Sequence, residues 1–310
     1  LKRRAQQRRI EPFDPQRVYP YIYRPFTTRL IYASDVLVDE PGAMREFIQG
    51  RTLCLSMSSG LRVLAGGAPF DLHYVGDTYG LPLRRHDAQN NVVDNITDWG
   101  LKQFIAHYKG CEPSPQPSPS GRGSKTGARK ITKEAIFHYC YAVLHDPVYC
   151  EKYAQNLKRE FPRIPFYADF WRWADWGAEL MRLHIDYESV QPFELTRHDE
   201  PDVKARAAGL APKPLLKSDP AAGSILLDSE TTLRGVPPEA WAYRLGNRSA
   251  LDWVLDQHKE KKPKDPTIRE EFYTYRFADH KEKVIDLLQR VVMVSVKTVK
   301  VVQAMQTAAR

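Results

Sequence analysis

The stretch that decides the fold is ITKEAIFHYCYAVLHDPVYC, residues 131–150. Its apolar side chains recur with the spacing of one helical face, at Ile136, Tyr139/Cys140 and Val143/Leu144. Thr132 stands before the first turn, where its hydroxyl can cap a free backbone amide. Asp146 followed by Pro147 marks the start of a second helix, because both residues are preferred at helix N-termini. The stretch therefore predicts two consecutive helices in the middle of the chain.

The helical pattern extends to residue 191. We expect the second helix to run towards Phe161 and to end before Pro162, which lacks the amide that a helix needs. A third helix is predicted to begin after Asp169. Its apolar face consists of Phe170, Trp173, Gly177, Leu180/Met181 and His184.

Three tryptophans, Trp171, Trp173 and Trp176, lie in this third helix. They are open to two interpretations, because exposed indole rings can stack on nucleobases whereas buried ones form part of a core. Helical spacing puts Trp173 and Trp176 beside Phe170, and this favours the core.

Upstream of the helices, the sequence alternates polar with aromatic or β-branched residues, a pattern typical of strands. The alternation covers residues 17–38 (RVYPYIYRPFTTRLIYASDVLV) and continues through 47–86, where we expect DLHYVGD at 71–77 to be extended as well. Residues 97–109 then predict a short amphipathic helix. These elements together indicate a β-rich lobe over residues 15–110.

Downstream of the helical block, the pattern is less regular. Residues 192–223 are rich in proline and alanine, and we expect a long connection there. A strand with its turn is predicted for 224–234, and Ser249 with Asp252 resembles the capping box of a following helix. Residues 279–305 carry apolar side chains at helical spacing, which predicts a long helix, although the run VVMVSV is also compatible with a strand.

Taken together, the patterns predict an α+β fold, in which a β-rich lobe packs with a scaffold of several long helices. The expected organisation is a basic connection from an upstream domain over 1–14, the β-rich lobe over 15–110, a flexible basic loop over 111–130, the helical scaffold over 131–191, a long connection over 192–223 and a C-terminal strand and helix part over 224–310. The 111–130 loop is expected to be flexible because its low-complexity sequence, CEPSPQPSPSGRGSKTGARK, cannot bury a core.

The positive charge of the 310-residue chain is concentrated in two segments. The whole sequence has 46 Lys and Arg against 38 Asp and Glu, a formal net charge of +8. Residues 1–30 and residues 101–133 each carry a net charge of +6, so the remainder is mildly acidic. Two cationic segments on an acidic body favour a polyanionic partner. No run of about 18 apolar residues occurs in the sequence, so a membrane partner is not expected.

Motifs of several enzyme classes are missing from the sequence, among them GxxxxGK[ST], GxGxxG, HExxH and GxSxG. The cysteines, Cys54, Cys111, Cys140 and Cys150, form no CxxC pair. Since zinc sites usually bring their ligands in such close pairs, we expect buried reduced thiols instead.

Two weaker signals concern metal binding and nuclease activity. His138 and His145 lie two helical turns apart, and without a third ligand they favour packing over a metal site. The carboxylate pairs that fit a restriction-nuclease site in part are Asp169 with Glu179, and Asp265 with Glu270. Neither pair has a suitably spaced lysine on a predicted strand, which argues against a nuclease fragment, the alternative to a binding domain.

Several segments, in the same order, resemble one protein family. The run YRPF at 23–26, followed by Arg29 and Tyr32, resembles the element that opens the target-recognition domain of type ISP restriction–modification enzymes and related fused restriction-methyltransferases. The helical run over 131–166 resembles the most distinctive stretch of that domain. Further similar blocks lie at 180–193, 237–258 and 290–302. Thr27 departs from the aspartate that is usual in the family, and the 111–130 loop looks like an insertion.

The resemblance implies that the chain selects a DNA sequence and has no catalytic activity of its own. The family's nuclease, helicase-like ATPase and N6-adenine methyltransferase lie upstream of this domain, so the implied cofactors, S-adenosylmethionine, ATP and Mg, belong to those other domains. The implied partners are double-stranded DNA and the adjacent methyltransferase domain, and the implied location is the bacterial cytoplasm. Leu1, in the place of an initiating Met, fits a domain of a longer polypeptide.

Ten side chains are candidate DNA contacts, because arginine, lysine and asparagine can bind phosphates or base edges. They are Arg24, Arg29, Arg84 and Arg85 as groove or phosphate contacts, Arg122, Lys125, Arg129 and Lys130 on the basic loop, and Asn247 and Arg248 before a helix N-terminus that favours an anion. For Arg24, which lies between Tyr23 and Pro25, a purely structural stacking role is equally well supported. A coupling module that does not read DNA is a further alternative to DNA recognition.

Overall fold

The computed structural model describes residues 11–34, 53–58, 62–76, 78–87, 89, 91–109, 129–261, 264–266 and 275–310. Helices and several small antiparallel sheets occur in these residues, which confirms the predicted α+β fold class. Backbone contacts divide the chain into two compact units. The first unit comprises the described residues of Leu1–Arg24, Thr28–Ile185 and Val301–Arg310, and the second unit those of Pro25–Thr27 and Asp186–Lys300.

The strands predicted within 17–38 and 47–86 are confirmed where the chain is described. They are β1 (Val18–Arg24), β2 (Thr27–Tyr32), β3 (Cys54–Ser58), β4 (Arg62–Gly66), β5 (Thr78–Pro82) and β6 (Arg84–His86), and β7 (Val92–Asp94) follows. β1 pairs with β2, β6 pairs with β7, and β3 is the central strand between β4 and β5. Because β3 has neighbours on both edges and lies in the core, all five of its residues are buried.

The expectation of an extended segment at 71–77 is wrong, since residues 71–76 form turns and bends. The Asp71 carboxylate accepts a hydrogen bond from the His73 amide at 3.0 Å. The Asp71 carbonyl accepts another from the Tyr74 amide at 3.0 Å. These local bonds compete with the ladder bonds of a strand, and the next strand begins at Thr78.

The helices of the first unit are α1 (Asp98–His107), α2 (Lys133–Val143), α3 (Pro147–Lys152) and α4 (Phe170–Ile185). The predicted N-caps are confirmed: Thr132 accepts a hydrogen bond from Ala135, and Asp146 accepts one from Val148, each at 3.1 Å. The predicted extension of the second helix to Phe161 is wrong. The chain turns after Lys152, because a 3-10 turn at Asn156–Lys158 buries Leu157 in the core.

The helices α2 and α4 pack closely against each other in the first unit. A β-carbon on Gly177 of α4 would overlap the carbonyl oxygen of His138 on α2, so only glycine permits this approach. Beside the contact, Trp173 is completely buried, and Trp171 is 9% exposed. Trp176 is partly buried and packs against the same core. The core interpretation that helical spacing favours for Trp173 and Trp176 is therefore confirmed, and Trp171 is buried with them.

A buried hydrogen-bond network connects these helices to the sheet. The hydroxyl of Tyr141 on α2 accepts a hydrogen bond from the Ala65 amide of β4 at 2.9 Å and lies 2.6 Å from Nδ1 of His184 on α4. Burial lowers the pKa of His184 well below its ordinary value and lowers that of the neighbouring His145 to about 4. Both imidazoles are therefore neutral at pH 7, and they act as packing groups with hydrogen bonds.

The carboxylate of Asp146 is a second buried polar group in this unit. The Asp146 carboxylate is completely buried and accepts two hydrogen bonds from Arg310, at 2.9 and 2.6 Å. The Tyr167 hydroxyl donates a third at 2.8 Å. A buried carboxylate requires such charged and polar partners, so Asp146 both caps α3 and fixes Arg310.

The second unit contains a four-stranded antiparallel sheet. Its strands are β8 (Thr196–Asp199), β9 (Pro214–Asp219), β10 (Ser224–Asp228) and β11 (Thr231–Arg234), in the order β8–β11–β10–β9. Ile225 and Leu227 of β10 and Leu233 of β11 are completely buried on this sheet. The other elements are α5 (Val203–Ala207), α6 (Pro238–Ala242), the hairpin of β12 (Arg244–Leu245) and β13 (Arg248–Ser249), and α7 (Ala250–Gln257). The last helix, α8 (Lys281–Gln306), belongs to this unit as far as Lys300, and its residues from Val301 onward belong to the first unit.

Residues 192–223, which we expected to be a long connection, supply β8, α5 and β9. All four residues of β8 are exposed. An exposed edge strand has no apolar face, so the alternation from which strands are predicted is missing there.

The last helix, α8, confirms the helical interpretation of residues 279–305. The run VVMVSV at 291–296 lies inside it, so the alternative strand is wrong. The Ser295 hydroxyl is buried in this run and donates to the Val291 carbonyl at 2.7 Å. Among the described residues, no helix is long and apolar enough to cross a membrane.

Replacing Gly177 with alanine tests the contact between α2 and α4. We expect Gly177→Ala to lower the free energy of unfolding by about 1–3 kcal/mol, because the added methyl group overpacks a tight core. Gly100→Ala in α1 is the matched control. A β-carbon there meets nothing nearer than 3.5 Å, and alanine is the better helix former, so the change should be neutral or stabilising by up to about 1 kcal/mol. Urea unfolding of both variants measures the difference, and equal effects would contradict the close approach.

Candidate nucleic-acid interface

The ring of Tyr23 organises the first group of candidate residues. The guanidinium carbons of Arg24 and Arg29 lie 4.1 and 4.3 Å from the centroid of this ring. Both cations are therefore attracted to one aromatic side chain. Arg29 is exposed, so its guanidinium group can meet a ligand while it stacks on Tyr23.

Arg24 has further bonds that hold it in place. Its Nη1 donates to the Asp71 carboxylate and to the Tyr23 carbonyl, each at 2.6 Å. Only 19% of the Arg24 side chain is exposed. Since Asp71 also stabilises the turn at 71–76, the ion pair ties the end of β1 to that turn. These contacts favour the structural interpretation of Arg24.

Arg84 and Arg85 lie in β6, and Arg84 begins a series of ion pairs that extends beyond this strand. Arg84 is opposite Asp94 of β7, and its Nε is 3.5 Å from the Asp94 carboxylate. Asp94 also contacts Lys133 at 3.2 Å, and Lys133 contacts Asp98 at 2.6 Å. The hydrogen bond between Lys133 and Asp98 raises the pKa of the lysine and lowers the pKa of the carboxyl group. Arg84 is thus positioned by an ordered chain of ion pairs.

Arg129 is anchored to α4. Its guanidinium group donates to both carboxylate oxygens of Asp175, at 2.9 and 2.6 Å, and lies 4.0 Å from the Trp171 ring centroid. Lys130 is exposed beside it. The other two candidates of the basic loop, Arg122 and Lys125, lie outside the described residues.

Asn247 and Arg248 lie in the second unit, where β13 leads into α7. Arg248 pairs with Asp256 at 2.9 Å. The predicted capping box is confirmed: the Ser249 hydroxyl accepts from the Asp252 amide, and the Asp252 carboxylate accepts from the Ser249 amide. The N-terminus of α7 thus already holds a carboxylate from its own chain. The role of Asn247 and Arg248 in binding an external anion stays a prediction.

The carboxylate pairs considered for a nuclease have different surroundings. The Asp169 carboxylate accepts a hydrogen bond from the Arg172 amide at 3.0 Å, which is the contact of a helix cap on α4. Asp265 is described, whereas its partner Glu270 lies outside the described residues. Within the part of the chain that the structure describes, no three His, Cys, Asp or Glu side chains are grouped to hold a metal ion. Cys54, Cys140 and Cys150 are free thiols.

Two exposed aromatic residues were not among the candidates from the sequence. Tyr79 of β5 is 61% exposed and Phe161 is 62% exposed. Tyr79 lies in an alternating segment that predicts a strand, and Phe161 lies at the expected end of a helix. Neither pattern shows whether the ring is exposed or belongs to the core. Exposure depends on which elements cover a position, so only the assembled unit identifies them.

Comparisons with known proteins bear on what these surfaces bind. A family model described as the Type ISP C-terminal specificity domain matches residues 1–287. A search of curated proteins finds no match. A cryoEM structure of a DrdV–DNA complex is similar with a TM-score of 0.86 and 44% identity, over 99% of this chain and 30% of that chain.

Two further solved structures share the fold. The ATP-dependent Type ISP restriction-modification enzyme LlaBIII bound to DNA gives a TM-score of 0.75 at 20% identity, over 100% of this chain and 20% of that chain. A nuclease-deletion mutant of the Type ISP restriction-modification enzyme LlaGI, in complex with a DNA substrate mimic, gives 0.68 at 21% identity, over 98% of this chain and 26% of that chain. The chain therefore spans less than a third of the length of each of these relatives.

Substitution of Arg24 and of Arg29, which both contact the Tyr23 ring, tests whether the first is structural and the second a surface residue. We expect Arg24→Gln to lower the free energy of unfolding by about 1–2 kcal/mol, because it breaks a largely buried ion pair and leaves the Asp71 carboxylate without its cation. Arg29→Gln should cost about 0.5 kcal/mol, the lower end of the range for an exposed cation–π contact, since only that contact is lost. Urea unfolding of the two variants provides the comparison. Equal losses, or a larger loss for Arg29→Gln, would contradict these roles.

Proposed function

The chain belongs to the family of Type ISP C-terminal specificity domains, and we propose that it recognises the DNA target sequence of a restriction–modification enzyme. The observation that carries this proposal is the family match over residues 1–287. The similarity to the DrdV–DNA complex, at 44% identity over nearly the whole chain, supports DNA as the ligand, and we propose that this DNA is double-stranded. The chain itself is proposed to bind DNA without catalysing a reaction.

The charge distribution supports a phosphate-binding surface. Each cation that neutralises a phosphate releases condensed counterions, and this release supplies affinity that depends on salt. Arg29 and Lys130 are exposed and have no ion pair among the described residues. We assign them to phosphate contacts, and we assign Arg24 and Arg129 to positioning because acidic partners hold their guanidinium groups.

Methylation and ATP-dependent cleavage are proposed to be carried out by other domains of the same enzyme. The share of the relatives' chains that this chain covers, 20% to 30%, leaves room for such domains. S-adenosylmethionine, ATP and Mg would be bound there, and the adjacent methyltransferase domain is the proposed protein partner. Restriction of foreign DNA places such an enzyme in the bacterial cytoplasm.

Salt dependence of DNA binding tests the proposed function. We expect the 310-residue chain to bind duplex DNA at low salt, with an affinity that falls steeply as salt rises. Lys130→Gln should reduce the slope of log K against log salt by about 1, the value for one phosphate contact. Fluorescence anisotropy of a labelled duplex measures both quantities.

Lys283→Gln is the matched control for Lys130→Gln. Lys283 is exposed on α8 and is not a candidate contact, so the same loss of charge should leave the slope unchanged. Failure of the unmodified chain to bind any duplex at low salt would contradict DNA recognition and favour the coupling module.

A further inference from the structure

A cavity of about 190 Å³ lies at the end of the three-stranded sheet of the first unit. Met57 and Ser58 of β3 and Tyr79 of β5 form one wall, and residues 157–162 form the other. The volume equals that of about six liquid water molecules. A cavity of this size suits one flat heterocycle better than a base pair.

Two aromatic side chains at this cavity are exposed. Tyr79 is 61% exposed and Phe161 is 62% exposed. Their ring centroids lie 5.7 Å apart with an interplanar angle of 68°, so the two rings meet edge to face and are not stacked on each other. Exposed aromatic faces at a cavity are suited to stacking on a nucleobase.

The wall of the cavity also holds an unsatisfied polar group. Ser58 is 6% exposed, and its hydroxyl has no hydrogen-bond partner within the described part of the chain. A buried hydroxyl without a partner is unfavourable. It can donate to a ring nitrogen or carbonyl oxygen and accept from an amino group, which are the groups at the edge of a base.

The rim of the cavity is cationic. Lys158 and Arg159 are both exposed, and among the described residues neither is in an ion pair. The acidic residue between them and Phe161, Glu160, already pairs with Arg163 at 3.1 Å. The rim therefore offers two positive charges to a phosphate next to a base held in the cavity.

We propose that this cavity binds a single unpaired base of duplex DNA. The base stacks on one of the rings of Tyr79 and Phe161 and meets the other edge-on, because the two rings are inclined at 68°. Its edge meets the Ser58 hydroxyl, and Lys158 and Arg159 bind its flanking phosphates. Enzymes that react with a base take it out of the stack, and its former partner is then left unpaired. The proposal rests on the proposed function, because it requires that the chain binds DNA.

A duplex with one extrahelical 2-aminopurine tests the cavity, with a fully paired duplex of the same flanking sequence for comparison. We expect the chain to bind the extrahelical base about 5- to 150-fold more tightly, the range for one stacked base, and to quench its fluorescence. Tyr79→Ala and Phe161→Ala should lose this preference and keep their affinity for the paired duplex. Ser58→Ala should reduce it by a smaller factor.

Phe13→Ala is the matched control for Phe161→Ala, because Phe13 is 73% exposed and lies outside the cavity. It should keep the full preference for the extrahelical base. All substituted aromatic residues are exposed, and unchanged melting curves would establish that the variants fold.

Three results would overturn the proposal in distinguishable ways. Tight binding of both duplexes without a preference would exclude the cavity and leave DNA recognition intact. Binding of neither duplex at low salt would contradict the proposed function itself. Binding of free 2-aminopurine deoxyribonucleoside monophosphate as tightly as the extrahelical base would assign the cavity to a free nucleotide.

Discussion

The contact between α2 and α4 at Gly177 is the constraint on which the first unit depends. Because no side chain separates the helices there, Tyr141 of α2 reaches His184 of α4 and the backbone of β4 with one hydroxyl group. β4 pairs with β3, and β3 pairs with β5. The close approach of α2 and α4 at Gly177 therefore helps to set the position of the β4–β3–β5 sheet, which forms one wall of the cavity.

Ion pairs divide the cationic residues of this unit into two classes. Arg24, Arg84 and Arg129 are each held by an aspartate, so their positions are determined before any ligand arrives. Arg29 contacts the ring of Tyr23, as Arg24 does, but its side chain is exposed. An interface of this kind combines preorganised groups, which set geometry, with exposed charges, which supply salt-dependent affinity.

The starts of the helices can be predicted from the sequence, because they depend on neighbouring residues. Much of the candidate site cannot, because it depends on contacts between segments that are distant in the sequence. Thr132, Asp146 and Ser249 were identified as caps because capping depends on neighbouring residues alone. The sequence does not predict β8, because all of its residues are exposed and polar and apolar side chains do not alternate in it. It does not predict the turn at Asp71 either, because that turn depends on a hydrogen bond from the His73 amide to the Asp71 carboxylate. The exposure of Tyr79 and Phe161 depends on packing between distant segments, which no local pattern contains. The resemblance over 131–166 and the other blocks predicts the family from the sequence alone, and the family match confirms it.

Selection from a pool of randomised duplexes tests the central claim most directly. The 310-residue chain is incubated with the pool at moderate salt, and the retained duplexes are sequenced. We expect one DNA motif to be enriched, because a specificity domain discriminates among sequences as well as binding phosphates. Retention of the pool without an enriched motif, or no retention at low salt, would contradict the claim that this chain recognises a DNA target sequence.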